Sequence, residues 1–288
     1  MKTKFKTIAI AALMALAALL LAGCPAETPT TYTVTFDSNG GSQVAPITDV
    51  EHGSTITAPA APTKTSGYNQ KFAGWFENEA LTIQWIFSMD TVTSDITLYA
   101  KWDPYAIGDT GPGTGKIFYR SEEGFTVAGY GSAGDTGYFA EYTAHYLEAA
   151  PSATVSRRWS DPSTDIPNVS KFTVDEATAS NTIGNGRKDT WLIIANLGNT
   201  QTDRAAQINT LAVYGDKNDW FLPSISELRT LWQNRTAAGL SFGTTSYYWS
   251  SSQAEGTTQN ALRVDLATGA IQSVLKSLNE MSRAIRAF

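Results

Sequence analysis

The chain carries one cysteine, Cys24, and that count limits how everything after it can be held together. A lone thiol forms no disulfide within the chain and no multi-cysteine metal site. The residues before it set the compartment. Lys2, Lys4 and Lys6 give a positive start, an uncharged apolar run extends from Ile8 to Leu21, and Leu21-Ala22-Gly23-Cys24 closes it. The run is too short for a comfortable membrane span, and the pattern of residues 1–23 is that of an export signal. An exported chain without disulfides must be stabilised by packing alone. Its hydrophobic content of 42%, charged content of 17% and aromatic content of 11% suit a folded, β-rich core.

Leu21-Ala22-Gly23-Cys24 looks like a bacterial lipobox. Small residues let the signal peptidase approach the backbone, and the Cys24 thiol takes a diacylglycerol. The resemblance implies a palmitate-bearing lipoprotein, lipidated at Cys24 and bound to a membrane through that anchor. Several acyl chains at ~0.8 kcal/mol per buried methylene make a lasting attachment. Loss of residues 1–23 leaves 18 Lys and Arg against 27 Asp and Glu, a net charge of −9. Such a surface disfavours nucleic acid as a partner. Residues 24–31 form a Pro/Thr tether. Pro25 stands where an aspartate acts as an inner-membrane retention signal in some bacteria, which points to the outer membrane and a surface-exposed protein.

Residues 32–102 read as a small first domain. Tyr32-Thr33-Val34-Thr35-Phe36 alternates with period two, and Asp37-Ser38-Asn39-Gly40-Gly41 turns the chain. Phe72-Ala73-Gly74-Trp75-Phe76 and Ile96 to Trp102 supply further strands, with Trp85, Ile86 and Phe87 as added core. The Thr-Phe-Asp-Ser-Asn-Gly-Gly start, the Phe-Ala-Gly-Trp-Phe middle and the Leu-Tyr-Ala-Lys-Trp end resemble an internalin B-type repeat. That resemblance implies a β-grasp-like spacer module of bacterial surface proteins. The stretch Ser66 to Lys71 is longer than such repeats usually show. Trp75, Phe76, Trp85 and Trp102 offer a sugar-stacking platform or a core. The core is the stronger reading, because so small a domain needs its large apolar groups inside.

Residues 103–288 form the second domain. Gly108 to Lys116 invites a phosphate-loop reading, but Thr110 and Ile117 stand where that pattern requires Gly and Ser/Thr. A glycine turn opening a strand at Lys116 is the alternative. A helix is expected over Asp189 to Leu197, closed by Gly198, and another over Thr202 to Tyr214. Ser224-Ile225-Ser226-Glu227 is a capping box that starts a third, with Ile225, Leu228, Leu231 and Trp232 on one face. Trp220-Phe221-Leu222-Pro223 reads as the strand before it. Tyr248-Trp249-Ser250-Ser251-Ser252 reads as a central strand with its ring buried and its serines running toward the surface. Leu262, Val264 and Leu266 face inward in the alternating stretch that follows. Asp161 and Asp165 lie in a turn that would suit calcium but is more simply solvated.

Asp219-Trp-Phe-Leu-Pro-Ser, Tyr247-Tyr-Trp-Ser-Ser-Ser and Arg283-Ala-Ile-Arg-Ala-Phe occur in that order. Together they resemble the C-terminal domain of a bacterial collagen-like adhesin family, over about Ile107 to Phe288. The family's fold is similar to C-type lectins and formylglycine-generating enzymes. The resemblance implies an α+β chain: a β-grasp-like repeat followed by a C-type-lectin-like α+β domain. In lectin-like folds the loops at one end carry the ligand. Carried over, the candidate ligand-binding residues are Ser252, Gln253, Glu255, Asn260 and Arg263. The Glu-Pro-Asn, Gln-Pro-Asp and Trp-Asn-Asp signatures of calcium-dependent sugar lectins do not occur, and no metal or cofactor is expected. His52 and His145 fall in different domains, no Gly-x-Ser-x-Gly occurs, and no thiol is spare for oxidase chemistry. The expected function is adhesion or capture of a glycan or protein ligand, not catalysis. A structural envelope protein is the rival reading.

Overall fold

The structure is a computed structural model that describes residues 30–161, 164–197, 203–242 and 247–288. The export signal, Cys24 and all but the end of the tether lie outside these residues, as does Gly198. The chain divides into two compact units and its class is α+β. One unit contains Ala73–Lys101 and the residues up to Pro62; the other contains Thr63–Phe72 and Trp102–Phe288.

The first sheet comprises β1 (Thr31–Asp37), β2 (Ile47–Glu51), β3 (Lys71–Phe76) and β4 (Ile96–Asp103), in the order β2-β1-β4-β3. β1 runs parallel to β4, pairing Val34 with Ile96 and Phe36 with Leu98. The period-two pattern puts Val34, Phe36, Leu98 and Ala100 inside. After β1 the chain turns on Asn39 and Gly40, at φ 46° and 82°, the positive values that favour Asn-Gly. The Asn39 side chain locks the turn by donating to Ala100 O at 2.7 Å. Trp75, Phe76, Trp85 and Trp102 are all buried, so these rings are core and not a platform. Ile86 departs from expectation at 40% exposed. Trp85 takes the inward position, and Ile86 opens a turn closed by Asp90 N–H on its carbonyl at 2.8 Å.

The described residues of the second unit form two sheets. In the smaller, β6 (Tyr142–Ala149) lies between β5 (Lys116–Val127) and β13 (Ile285–Ala287), antiparallel to both. In the larger, β7 (Thr154–Arg157), β12 (Glu280–Ser282), β9 (Tyr247–Ala254), β10 (Asn260–Asp265) and β11 (Ile271–Leu275) lie side by side in that order. The short β8 (Lys171–Phe172) is parallel to the end of β9. Among the described residues four helices pack around them: α1 (Val174–Ala179), α2 (Gly186–Leu197), α3 (Ala205–Thr210) and α4 (Ile225–Asn234).

β9 is the central strand, and both its faces are covered. From Tyr248 to Ala254 every residue is buried, as expected when a strand has packing on each side. The three serines therefore do not run toward the surface; Ser250, Ser251 and Ser252 are wholly buried. Small side chains let neighbouring segments approach, and backbone groups satisfy two of the hydroxyls. Ser250 Oγ donates to Leu262 O at 2.7 Å and Ser252 Oγ accepts from Ile225 N–H at 3.1 Å. Two indoles bracket the strand: Trp159 Nε1 donates to Ser250 O and Trp249 Nε1 to Arg157 O.

The expected strand before α4 is reduced to one pair of bonds between Phe221 and Ile285, 2.8 and 3.0 Å long. Pro223 has no N–H to extend a ladder, and Ser224 already caps the helix. That capping box is present: Ser224 N–H donates to Glu227 Oε2 at 2.7 Å, and Glu227 N–H to Ser224 Oγ at 3.3 Å. The helix expected over Thr202 to Tyr214 is only Ala205–Thr210 long within the described residues. Its register turns Asn209 inward, where Nδ2 donates to Ser282 Oγ at 2.8 Å, and leaves Leu211 60% exposed. Gly215 and Asp216, both at positive φ, then reverse the chain.

Candidate functional site

The glycine stretch 108–116 is an anion-binding turn whose anion belongs to the chain itself. Gly113 N–H and Gly115 N–H donate to the Glu148 carboxylate at 3.1 and 2.7 Å, and Arg286 Nη1 reaches it at 3.2 Å. Burial raises the Glu148 pKa, while Arg286 and the two amides oppose that shift. A Cβ on Gly111 would meet Glu148 at 2.5 Å, and one on Gly113 would meet the Trp220 ring at the same distance. The glycines are required by close approach to these groups, not by a nucleotide.

The five sequence-derived ligand residues do not converge on one surface. Ser252 is buried against the start of α4, and Gln253 is 1% exposed. Glu255 is exposed, with its N–H donating to Phe172 O at 2.9 Å. Asn260 is half-buried and donates to Ser273 Oγ at 3.1 Å. Arg263 lies further along β10, opposite Trp249. Its Nε and Nη2 hold Gln272 Oε1, its Nη1 holds Glu280, and the guanidinium sits 3.8 Å from the Tyr247 ring centroid. It is already committed to neighbours of its own sheet.

Gln253 leads to a residue that sequence reasoning missed. Lys276 is fully buried. Its Nζ donates to Thr164 O at 2.5 Å, Gln253 Oε1 at 2.7 Å and Thr258 O at 2.8 Å, and lies 4.8 Å from the Trp159 ring centroid. Burial lowers its pKa to about 8, with Asp165 pulling the other way. The Gln253 carboxamide is fully engaged. Its oxygen also accepts from Ile166 N–H at 3.2 Å, and its Nε2 donates to Asp165 Oδ1. One ammonium thus joins the 164–166 segment, the end of β9 and the 255–259 loop. A lysine is the default surface residue, and its flanking Leu275 and Leu278 are themselves exposed, so nothing local in the sequence signalled its burial.

The two aspartates considered for calcium each face cations of the chain. Asp161 pairs with Arg158 and Arg204, and Asp165 with Lys171. Among the described residues no group of three or more His, Cys, Asp or Glu could hold a metal ion. His52 is exposed, and His145 Nδ1 lies 3.0 Å from Ser121 O. Two polar hollows open on the second unit. One of about 810 Å³ is lined by Lys64, Tyr68, Asn69, Arg120 and Glu122; another of about 370 Å³ is lined by Arg157, Arg158, Asp203 and Asn279.

Residues 32–101 match the Listeria-Bacteroides repeat domain, and residues 158–286 match the Lcl C-terminal domain. Two relatives come from Evansella cellulosilytica. A protein provisionally named a Gly-rich membrane protein is 51% identical over 72 residues, which are 25% of this chain and 8% of that protein. A second, provisionally named a membrane protein, is 49% identical over 72 residues, or 25% of this chain and 10% of its own length. The chain thus spans a tenth or less of the relatives it matches. Among the described residues no helix is long and apolar enough to cross a membrane.

Proposed function

We propose that this chain is a lipoprotein of the cell envelope, anchored through Cys24, whose β-grasp-like repeat carries a lectin-like second unit that captures an extracellular glycan or protein. The names of the Evansella proteins and the lipobox support an envelope location; the match to the Lcl C-terminal domain supports a surface adhesin. The observation that carries the binding role is the buried Lys276 ammonium. By tying three segments together it fixes the loop above them, so Glu255 and Asn260 are presented on a rigid base, and preorganised polar groups lose little entropy on binding.

The test uses the mature chain without its lipid on arrays of glycans, matrix proteins and envelope extracts. Capture of a glycan or matrix protein that weakens at least about tenfold in Glu255→Ala/Asn260→Ala supports the reading, a loss of ~1.4 kcal/mol. Binding confined to envelope extracts refutes external capture and favours a structural envelope role.

A further inference from the structure

The Lys276 site contains every part needed for a covalent cross-link. A nucleophile, Lys276 Nζ, stands 2.7 Å from the oxygen of a carboxamide, Gln253, whose carbon is one bond further away. The carboxamide oxygen already has a backbone donor, Ile166 N–H at 3.2 Å, placed where negative charge would develop on it. The nitrogen that would leave, Gln253 Nε2, donates to the Asp165 carboxylate. Gln253 and Lys276 are 1% and 0% exposed, so water is excluded from the carbon under attack.

The other two partners of the lysine orient it. Thr164 O and Thr258 O take two of its hydrogens. Once the ammonium gives up its third proton, its lone pair faces Gln253 Oε1, and attack on Cδ requires the carboxamide to turn its face toward Nζ. The charged groups facing this site are Asp165 and, beyond it, Lys171.

We propose that Lys276 and Gln253 form an isopeptide bond within the chain, with Asp165 relaying the proton. Nζ adds to Gln253 Cδ, and the oxygen takes the negative charge against Ile166 N–H. Nζ then loses a proton, Nε2 gains one through Asp165, and the Cδ–Nε2 bond breaks. The carboxamide and the amine become a secondary amide and one ammonia. No oxidant or co-reactant is needed. The amine's lowered pKa, about 8, leaves an appreciable neutral fraction at neutral pH. The link would close the 253–276 segment in a chain that has no disulfide, constraining its unfolded state as a disulfide does. The link would replace the hydrogen bond between Lys276 and Gln253 by a covalent tie between the same segments, so it shares the rigid base on which the ligand-capture reading rests; mass analysis reads the link and array binding reads the capture, so each can fail alone.

Intact-mass analysis of the purified mature chain tests it. The expected mass is lower than the sequence mass by one ammonia. Trypsin should fail to cut after Lys276 and release a branched peptide joining residues 236–263 to residues 264–283. The reaction should accelerate as pH rises from 7 to 9. Lys276→Met should keep the full mass. Asp165→Asn provides the control should that core variant not fold, because Asp165 is 45% exposed; a folded Asp165→Asn chain of full mass supports the relay. A folded wild-type chain that keeps its full mass after prolonged incubation at pH 9, with Lys276 and Gln253 on separate peptides, overturns the proposal.

Discussion

Replacing Glu148 by alanine should be among the most damaging single changes in the second unit. The carboxylate accepts from two glycine amides and from Arg286, and all four residues are buried. Breaking a buried ion pair from one side costs about 3–5 kcal/mol, because the other charge stays behind. Here Arg286 keeps Asp219, at 2.8 Å from Nε and 3.1 Å from Nη2, so the lower end of that range applies. The Gly113 and Gly115 amides lose their acceptor, at about 1–3 kcal/mol each where water does not replace it. With partial relaxation of the turn, a total near ~4 kcal/mol follows. Glu148→Gln, which keeps an acceptor oxygen but loses the charge, should lose about half as much. Urea unfolding followed by tryptophan fluorescence measures both, since Trp220 packs against Gly113. A loss under about 1 kcal/mol for Glu148→Ala would show that the turn holds its shape without an anion and would falsify the account given for its glycines.

Two further outcomes are expected. Asp189 is fully buried, with its pKa raised from 3.8 to about 7 chiefly by burial. In the window between those values the folded chain holds a proton that the unfolded chain has lost, so stability should rise as pH falls from about 7 toward 4. Asp189→Asn should flatten that rise; an unchanged slope in chemical denaturation across this range would assign it to another group. The shortened α3 gives a paired test: Leu211→Ser should change stability by less than about 0.5 kcal/mol, while Leu231→Ala, fully buried on α4, should cost about 2–5 kcal/mol. Comparable losses at the two positions would restore the longer helix.

The readable parts of the sequence were those governed by local rules. The Ser224–Glu227 box, the Asn39-Gly40 turn and the alternation of Leu262, Val264 and Leu266 each depend on residues a few positions apart, and each is where its pattern put it. A second capping box, Thr173 with Glu176, begins α1 by the same local rule. What could not be read depends on distant partners. Three serines in a row suggest a surface, and only the coverage of β9 by Trp159, Pro223 and α4 makes them interior. Asn209 ends the apolar face of α3 because Ser282, 73 residues away, receives its side chain. Lys276 owes its burial to carbonyls of Thr164 and Thr258, contributed by two separate loops. The ligand residues were placed by analogy with a fold; Ser252 and Gln253 are buried and Arg263 is held by Gln272 and Glu280, which leaves Glu255 and Asn260 nearer the solvent.

The turn around Glu148 also bears on what this scaffold can become. Two glycine amides and a guanidinium directed at one oxygen pair form a receptor for any small oxyanion. In the native chain it is permanently self-occupied, and so silent toward solutes. Shortening that single side chain would empty the receptor and let the turn relax, so that its donors would regather only around an anion taken from solution. Lineages that tolerate the loss of stability would then inherit a seat that phosphate or sulfate itself must order, reached by subtraction of one carboxylate and without any new basic residue.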